Sequence, residues 1–250
     1  MEFTYKTVVI TGGASGMGFL CGKCFAKEGA NVVLLDNNGA LLEEKVKELK
    51  TSGCSVLGVP TDIRHYDEIL HAREEAMKSF GSIDILINCA GGSSKRIWKC
   101  NEEFVNVPIE VFDWGLDVNL KGPFYMSHAM MKQMVAQKSG VIVNIGSITG
   151  EEGCPSAVDY SAAKSGVMYG LTKSLALYGA QYGIRVCCVS PGPVLTRAAM
   201  SNMSTLLGRA ADPQEIVDLI MYVASSKGAF ITGTNYLIDG GRNIMREKKG

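Results

Sequence analysis

Residues 6 to 18 limit the possible folds more than any other stretch of this chain. Lys6-Thr-Val-Val-Ile-Thr11 is a short β-branched run that stops at Gly12-Gly-Ala-Ser-Gly16-Met-Gly18, and a helical pattern follows over residues 17–28. Strand, glycine turn and helix in that order form a phosphate-type site. Glycines let the backbone approach a pyrophosphate, and the helix N-terminus offers unpaired N–H groups and partial positive charge. The plain alternative is a βα turn that happens to be glycine-rich. The spacing is Gly-x-x-x-Gly-x-Gly, so the general dinucleotide fingerprint is met only approximately.

The same rhythm continues down the chain. Asn31-Val-Val-Leu-Leu-Asp36 predicts a second strand, and its terminal acid stands where a ribose-binding carboxylate belongs. A carboxylate there accepts hydrogen bonds from ribose hydroxyls and repels a 2′-phosphate. Neither Ser15 nor Asn37-Asn38 offers the base that phosphate would need, which favours NAD over NADP. An amphipathic pattern over residues 40–52 leads to a third strand, Ser55 to Pro60, and to Thr61-Asp62-Ile63, where Asp62 either meets an adenine amino group or caps the next helix. Ile83 to Asn88 predicts a fourth strand entering Cys89-Ala90-Gly91.

Residues 109–137 are mainly helical in pattern. Asn119 and a nearby Gly-Pro predict a bend or an opened carbonyl inside them. Gly140 to Ser147, Ile184 to Ser190 and Asn235 to Ile238 complete the strands, with helices over 157–181 and 213–225. The fold expected is α/β, a Rossmann-type doubly wound parallel sheet of about seven strands in three αβα layers, forming one domain over residues 1–250.

Composition narrows the partners. Twenty-five basic residues balance 25 acidic ones and hydrophobic residues make up 46%, so net charge points to neither nucleic acid nor an anionic membrane. No signal-like segment and no run of about 18 apolar residues stands out, so a soluble cytoplasmic protein is expected. The eight cysteines suit reduced thiols. Cys21-Gly-Lys-Cys24 has redox spacing without the surrounding pattern of a redox domain, and the scattered His65, His71 and His128 do not suggest a metal site. The loop from Gly92 to Pro108 carries Lys95, Arg96, Trp98 and Lys99, a cluster that suits either an anionic substrate or a solvated surface.

Tyr160 and Lys164, four apart on the helix predicted over 157–181, share one face. Phenols ionise near pH 10. An ammonium roughly 5 Å away favours a phenolate by about 3 kcal/mol at an effective dielectric near 20, so the spacing suits acid/base work. Ser147 lies 13 residues earlier, at a strand's carboxyl end. The pair alone is a common coincidence.

The full set is more specific. Thr11-Gly-x-x-x-Gly-x-Gly18, Asp36, Asp62, Asn88-Cys-Ala-Gly91, Asn119, Ser147, Tyr160-x-x-x-Lys164, Pro191-Gly192 and Asp239-Gly-Gly241 resemble, in order, the short-chain dehydrogenase/reductase family in its compact form. Cys89 departs from the asparagine that is commoner there. The resemblance implies an NAD-dependent oxidoreductase interconverting a secondary alcohol and a ketone or aldehyde, with no metal. Tyr160 would be the acid/base, Ser147 would hold the substrate oxygen, Lys164 would tune the phenol and bind the nicotinamide ribose, and Asn119 would hold a water on the proton's exit path. Cofactor contacts would come from the turn (Gly12, Ser15, Gly16, Met17, Gly18), from Asp36, Asp62 and Ile63, and from Asn88, Ala90 and Gly91. Tyr160 and Lys164 join them, with Pro191, Gly192, Val194 and Thr196 beyond.

The lid expected between Thr196 and Arg209 is short, with Met200, Met203, Leu206 and Leu207 as its apolar cover for substrate, and the family suggests a homotetramer or homodimer. Competing expectations are an NADPH-preferring carbonyl reductase and a catalytically silent nucleotide-binding sensor or scaffold. Glu151 and Glu152 near the site argue against an anionic substrate.

Overall fold

The computed structural model describes residues 1–246; the sequence ends in a basic stretch, Arg242 to Lys249, whose last residues lie outside the described ones. Seven parallel strands form one sheet in the order β3-β2-β1-β4-β5-β6-β7. They are β1 (Thr7–Thr11), β2 (Asn31–Asp36), β3 (Val56–Pro60), β4 (Ile85–Asn88), β5 (Gly140–Ile145), β6 (Ile184–Pro191) and β7 (Asn235–Ile238). No described helix is long and apolar enough to cross a membrane.

Strand residues alternate between two cores. Val8, Ile10, Val32, Leu34, Ile85 and Ile87 join Phe25 of α1 (Gly16–Lys27), Leu42 and Leu49 of α2 (Gly39–Thr51) and Ile216 and Ile220 of α10 (Pro213–Ala224). Val9, Val33, Leu35, Leu86 and Ile142 join Ile69 and Ala76 of α3 (Tyr66–Phe80), Met126, Met130 and Met134 of α6 (Gly122–Gln137) and Ala176 of α9 (Thr172–Gly179). Both sheet faces are therefore dry, as a parallel sheet requires, and the strands read as apolar runs for that reason.

The strand order switches side at β1: β2 and β3 lie on one side, β4 to β7 on the other. Loops leaving the carboxyl ends of β1 and β4 diverge there and open a cleft. Thr11 at the end of β1 ties the two loops, its Oγ1 accepting the N–H groups of Cys89 (3.0 Å) and Ala90 (2.9 Å).

Two long helical stretches are interrupted. The bend expected near Asn119 is a π-helical turn, Asp117–Lys121, between α5 (Ile109–Leu116) and α6, and the Asn119 side chain donates to the Gly115 carbonyl at 2.9 Å. The helix predicted over 157–181 is broken too. α8 (Val158–Ser165) and α9 flank a second π turn, Gly166–Leu171, where the Thr172 hydroxyl takes the Val167 carbonyl at 2.7 Å and accepts from Asn144 at 3.0 Å. In each case a buried polar side chain captures a carbonyl that would otherwise serve the helix ladder.

All eight cysteines are free. Burial pushes the Cys21 thiol well up, so Cys21 has little thiolate to offer and serves the packing of α1.

Candidate active site

The glycine turn is shaped by close approach. A Cβ on Gly18 would stand 2.1 Å from the Gly12 carbonyl oxygen, so α1 can start directly against the turn only without a side chain there. Gly12 and Gly16 adopt left-handed φ of 67° and 52°, and nothing lies within 4 Å of the direction a Gly16 side chain would take. The open space above Gly16 and the N-terminus of α1 line a cleft of about 600 Å³. That cradle, with bare backbone facing a helix N-terminus, fits a dinucleotide's pyrophosphate.

Asp36 closes one end. Its carboxylate accepts from Ala14 N–H (3.1 Å) in the turn and Asn38 N–H (2.9 Å), which fixes it at the rim beside Asn37. Asp62 and Ile63 line the same end. Asp62 is not a side-chain cap for α3, whose N-cap is His65; instead it pairs with Arg64 through Nε at 3.0 Å and Nη2 at 2.5 Å. Desolvation would raise the Asp62 carboxyl, but hydrogen bonds from Arg64 and its charge together hold it below the usual range.

At the other end Ala90 and Gly91 follow β4. The Asn88 side chain turns into the core, donating to Ser127 Oγ (3.1 Å) and Asn144 Oδ1 (2.8 Å), so only its backbone is available to a ligand. Asn119, fully buried, clamps Gly92 in both directions: Oδ1 accepts from its N–H and Nδ2 donates to its carbonyl, each at 2.9 Å. A Cβ on Gly91 would lie 2.7 Å from Asn119 Oδ1 and 3.4 Å from Lys164 Nζ, so the bare Gly91 lets asparagine, lysine and loop converge.

Lys164 is only 3% exposed, its ammonium donates to the Ile145 carbonyl at the end of β5 at 2.7 Å, and it stands 5.7 Å from the Tyr160 ring centre. Ser147, just beyond β5, accepts from the Thr149 N–H (3.2 Å) and hydroxyl (2.9 Å), so its own proton is free to point elsewhere. Pro191 accepts from Ile148 N–H at 2.8 Å, joining the β6 exit to the Ser147 loop. A Cβ on Gly192 would sit 2.7 Å from Asp239 Cα, and Val194 is buried, whereas Thr196 faces the cleft.

A model of the short chain dehydrogenase family matches residues 6–206. The chain belongs to the short-chain dehydrogenase/reductase family. It is an oxidoreductase of that family, similar to the oxidoreductase UcpA of Salmonella typhimurium, 34% identical over 97% of this chain and 96% of that protein. It is also similar to the 3-oxoacyl-[acyl-carrier-protein] reductase FabG of Thermotoga maritima, 33% identical over 96% of this chain and 99% of that one. The crystal structure of NAD+-bound xylitol dehydrogenase superposes with a TM-score of 0.87 at 26% identity, covering 96% of this chain and all (100%) of the other.

Several cleft residues carry no local sequence signal. Ile97, Trp114 and Arg197 line it, as does Arg96 from the basic cluster. Lys95 instead donates to the Glu102 carbonyl, and Trp98 is 50% exposed. Leu206 and Leu207, expected to cover substrate, pack by the Gly240-Gly241 turn: a Cβ on Gly241 would meet Leu206 at 2.8 Å, and Leu207 N–H donates to the Gly240 carbonyl at 3.1 Å. Both side chains are largely exposed, at 59% and 70%.

Proposed function

We propose that this protein is an NAD-dependent dehydrogenase that interconverts a secondary alcohol and a ketone or aldehyde. The observation that carries it is the convergence of Lys164, Asn119 and the bare Gly91 at the carboxyl edge of the sheet, on the same cleft as the glycine turn. When bound, the dinucleotide supplies the hydride acceptor or donor. The turn from Gly12 through Ser15, Gly16 and Met17 to Gly18 holds its pyrophosphate, Asp36 accepts from its adenosine ribose, and Asp62 and Ile63 border the adenine. Asn88, Ala90, Gly91, Pro191, Gly192, Val194 and Thr196 border its nicotinamide half, several through main chain alone.

The Tyr160 phenol exchanges a proton with the substrate oxygen, and Ser147, whose hydroxyl is already oriented by Thr149, donates to that oxygen. The Lys164 ammonium, held by the Ile145 carbonyl, stabilises charge on the phenol and reaches a ribose hydroxyl. All three hydrogen bonds of the Asn119 side chain go to backbone, so a proton-relay water there would rest on main-chain carbonyls of the opened π turn.

NAD preference rests on Asp36, beside which no basic side chain lines the cleft; the NAD+-bound xylitol dehydrogenase supports it by similarity. NADH should bind more tightly than NADPH, and the reverse order would support the carbonyl-reductase alternative. Oligomerisation through α6 and α9 is favoured by the half-exposed Phe124 and Tyr178 on those helices. The central test is Tyr160→Phe. It should retain NADH binding by fluorescence titration and lose about 10²–10⁴-fold in turnover; wild-type turnover would overturn the assignment.

A further inference from the structure

We propose that Arg96 and Arg197 clamp an oxyanion carried by the substrate, a carboxylate or a phosphate, so that the alcohol oxidised here is itself an acid. This rests on the dehydrogenase reading and names the substrate class of that site. Both arginines line the cleft with Gly91 and Thr196. Arg96 belongs to the short helix α4 (Ser94–Ile97), and its Nη2 stands 2.9 Å from where a Cβ on Gly92 would be. Gly92 is the residue that Asn119 clamps, so the guanidinium lies over the loop that borders Lys164.

Arg96 is itself exposed, but the short helix that carries it is anchored at a buried residue. The hydroxyl of Ser94, the first residue of α4, donates to Asp159 Oδ2 at 2.6 Å, with both residues buried. Asp159 immediately precedes Tyr160 on α8, so the helix bearing Arg96 is tied to the helix bearing the phenol. Gly115 makes room: a Cβ there would sit 1.9 Å from Asp159 Oδ2.

The two guanidiniums are available to an anion. Arg64, Arg209 and Arg242 each pair with an acid, and Arg185 is taken up by carbonyls of Val223, Ala224, Ser225 and Ile231. Among the described residues, neither Arg96 nor Arg197 has a carboxylate partner; Arg197 donates to Met200 Sδ at 3.7 Å. Partial desolvation, then the like charge of Arg197, hold Arg96 below its ordinary basicity, while the nearby Tyr160 acts the other way. An oxyanion between the arginines removes their repulsion and takes charge-assisted bonds from both. The acids expected to oppose an anion are engaged elsewhere, Glu151 with the Tyr169 hydroxyl and Glu152 with Arg242 at 3.3 Å.

The test is calorimetric titration of the NADH-loaded protein with 2- and 3-hydroxycarboxylates and sugar phosphates, each against its methyl ester or unphosphorylated alcohol, with NAD+-linked turnover followed on the same compounds. At least one acid should bind about 10-fold or more tightly than its neutral counterpart. Arg96→Gln and Arg197→Gln should each weaken it about 10- to 100-fold, the range for a charge-assisted hydrogen bond. Whether carboxylate or phosphate wins identifies the anion. Equal binding of neutral counterparts, no binding by any acid, or unchanged acid binding in both variants overturns the proposal. A variant that loses NADH affinity but keeps charge discrimination also overturns it, assigning the arginines to the dinucleotide. Because binding is read without turnover, an acid that binds as expected but is never oxidised would sink the dehydrogenase reading separately.

Discussion

Gly18→Ala puts the seating of α1 on the glycine turn under direct test. The added methyl would lie 2.1 Å from the Gly12 oxygen and 2.7 Å from its carbon. An ordinary C···O approach is about 3.3 Å, so the helix start must back away by roughly 1 Å. Gly12 cannot yield, because the Ala90 main chain closes its other side and its φ of 67° is already left-handed. Overpacking of this kind costs about 1–3 kcal/mol. In a chain of this size that corresponds to a fall in Tm of about 2–12 °C.

If α1 holds the pyrophosphate as proposed, the same shift moves its N–H groups away, and losing one charge-assisted bond should weaken NADH about 10- to 100-fold. Thermal melts and NADH fluorescence titration read the two effects. Gly53→Ala is the control: Gly53 also has positive φ, 78°, but open space around it and no place in the cleft. It should lose about 1 kcal/mol from backbone strain and keep NADH affinity. Wild-type melting and NADH affinity in Gly18→Ala would refute the packing described for the turn.

Asp62→Asn removes a carboxylate that Arg64 holds below its ordinary pKa. Its contribution is present above the unfolded value of about 3.9 and lost as pH falls through the lower folded value, so the Tm gap between wild type and variant, about 2–4 °C at pH 7, should close in acid. A gap independent of pH would rule out the ion pair as its source. Asn119→Leu strips Gly92 and Gly115 of their side-chain partners, and should cost about 1–3 kcal/mol in urea melts and at least about 10-fold in kcat, with full activity showing that the clamp on Gly92 is dispensable.

Much of the scaffold was legible before any coordinates. β2 runs from Asn31 to Asp36 around its apolar run, because a strand buried on both faces must be apolar at successive positions, and the half-buried edge strand β7 also falls on Asn235–Ile238. The opened turn at Asn119 was foreseeable from a short amide beside Gly-Pro. The second π turn at Gly166–Leu171 was not, since it depends on Thr172 meeting Asn144 of β5 across the core. The basic cluster shows the limit most clearly. Lys95, Arg96 and Lys99 look alike in sequence, yet only Arg96 reaches the cleft, where Arg197, a hundred residues onward, joins it.

The sequence by itself determined the alternation of strands and helices, the glycine turn and the family, because those are written in local periodicity and in residues whose order survives any detail of packing. Tertiary structure alone decided which side chains face the cleft. Asn88 turned inward to Asn144, Leu206 lies against the Gly241 turn, and the short helix carrying Arg96 is anchored by a buried bond between Ser94 and Asp159, 65 residues apart. The direction of a side chain in an irregular loop is fixed by what packs against it from distant parts of the chain, and no local pattern carries that information.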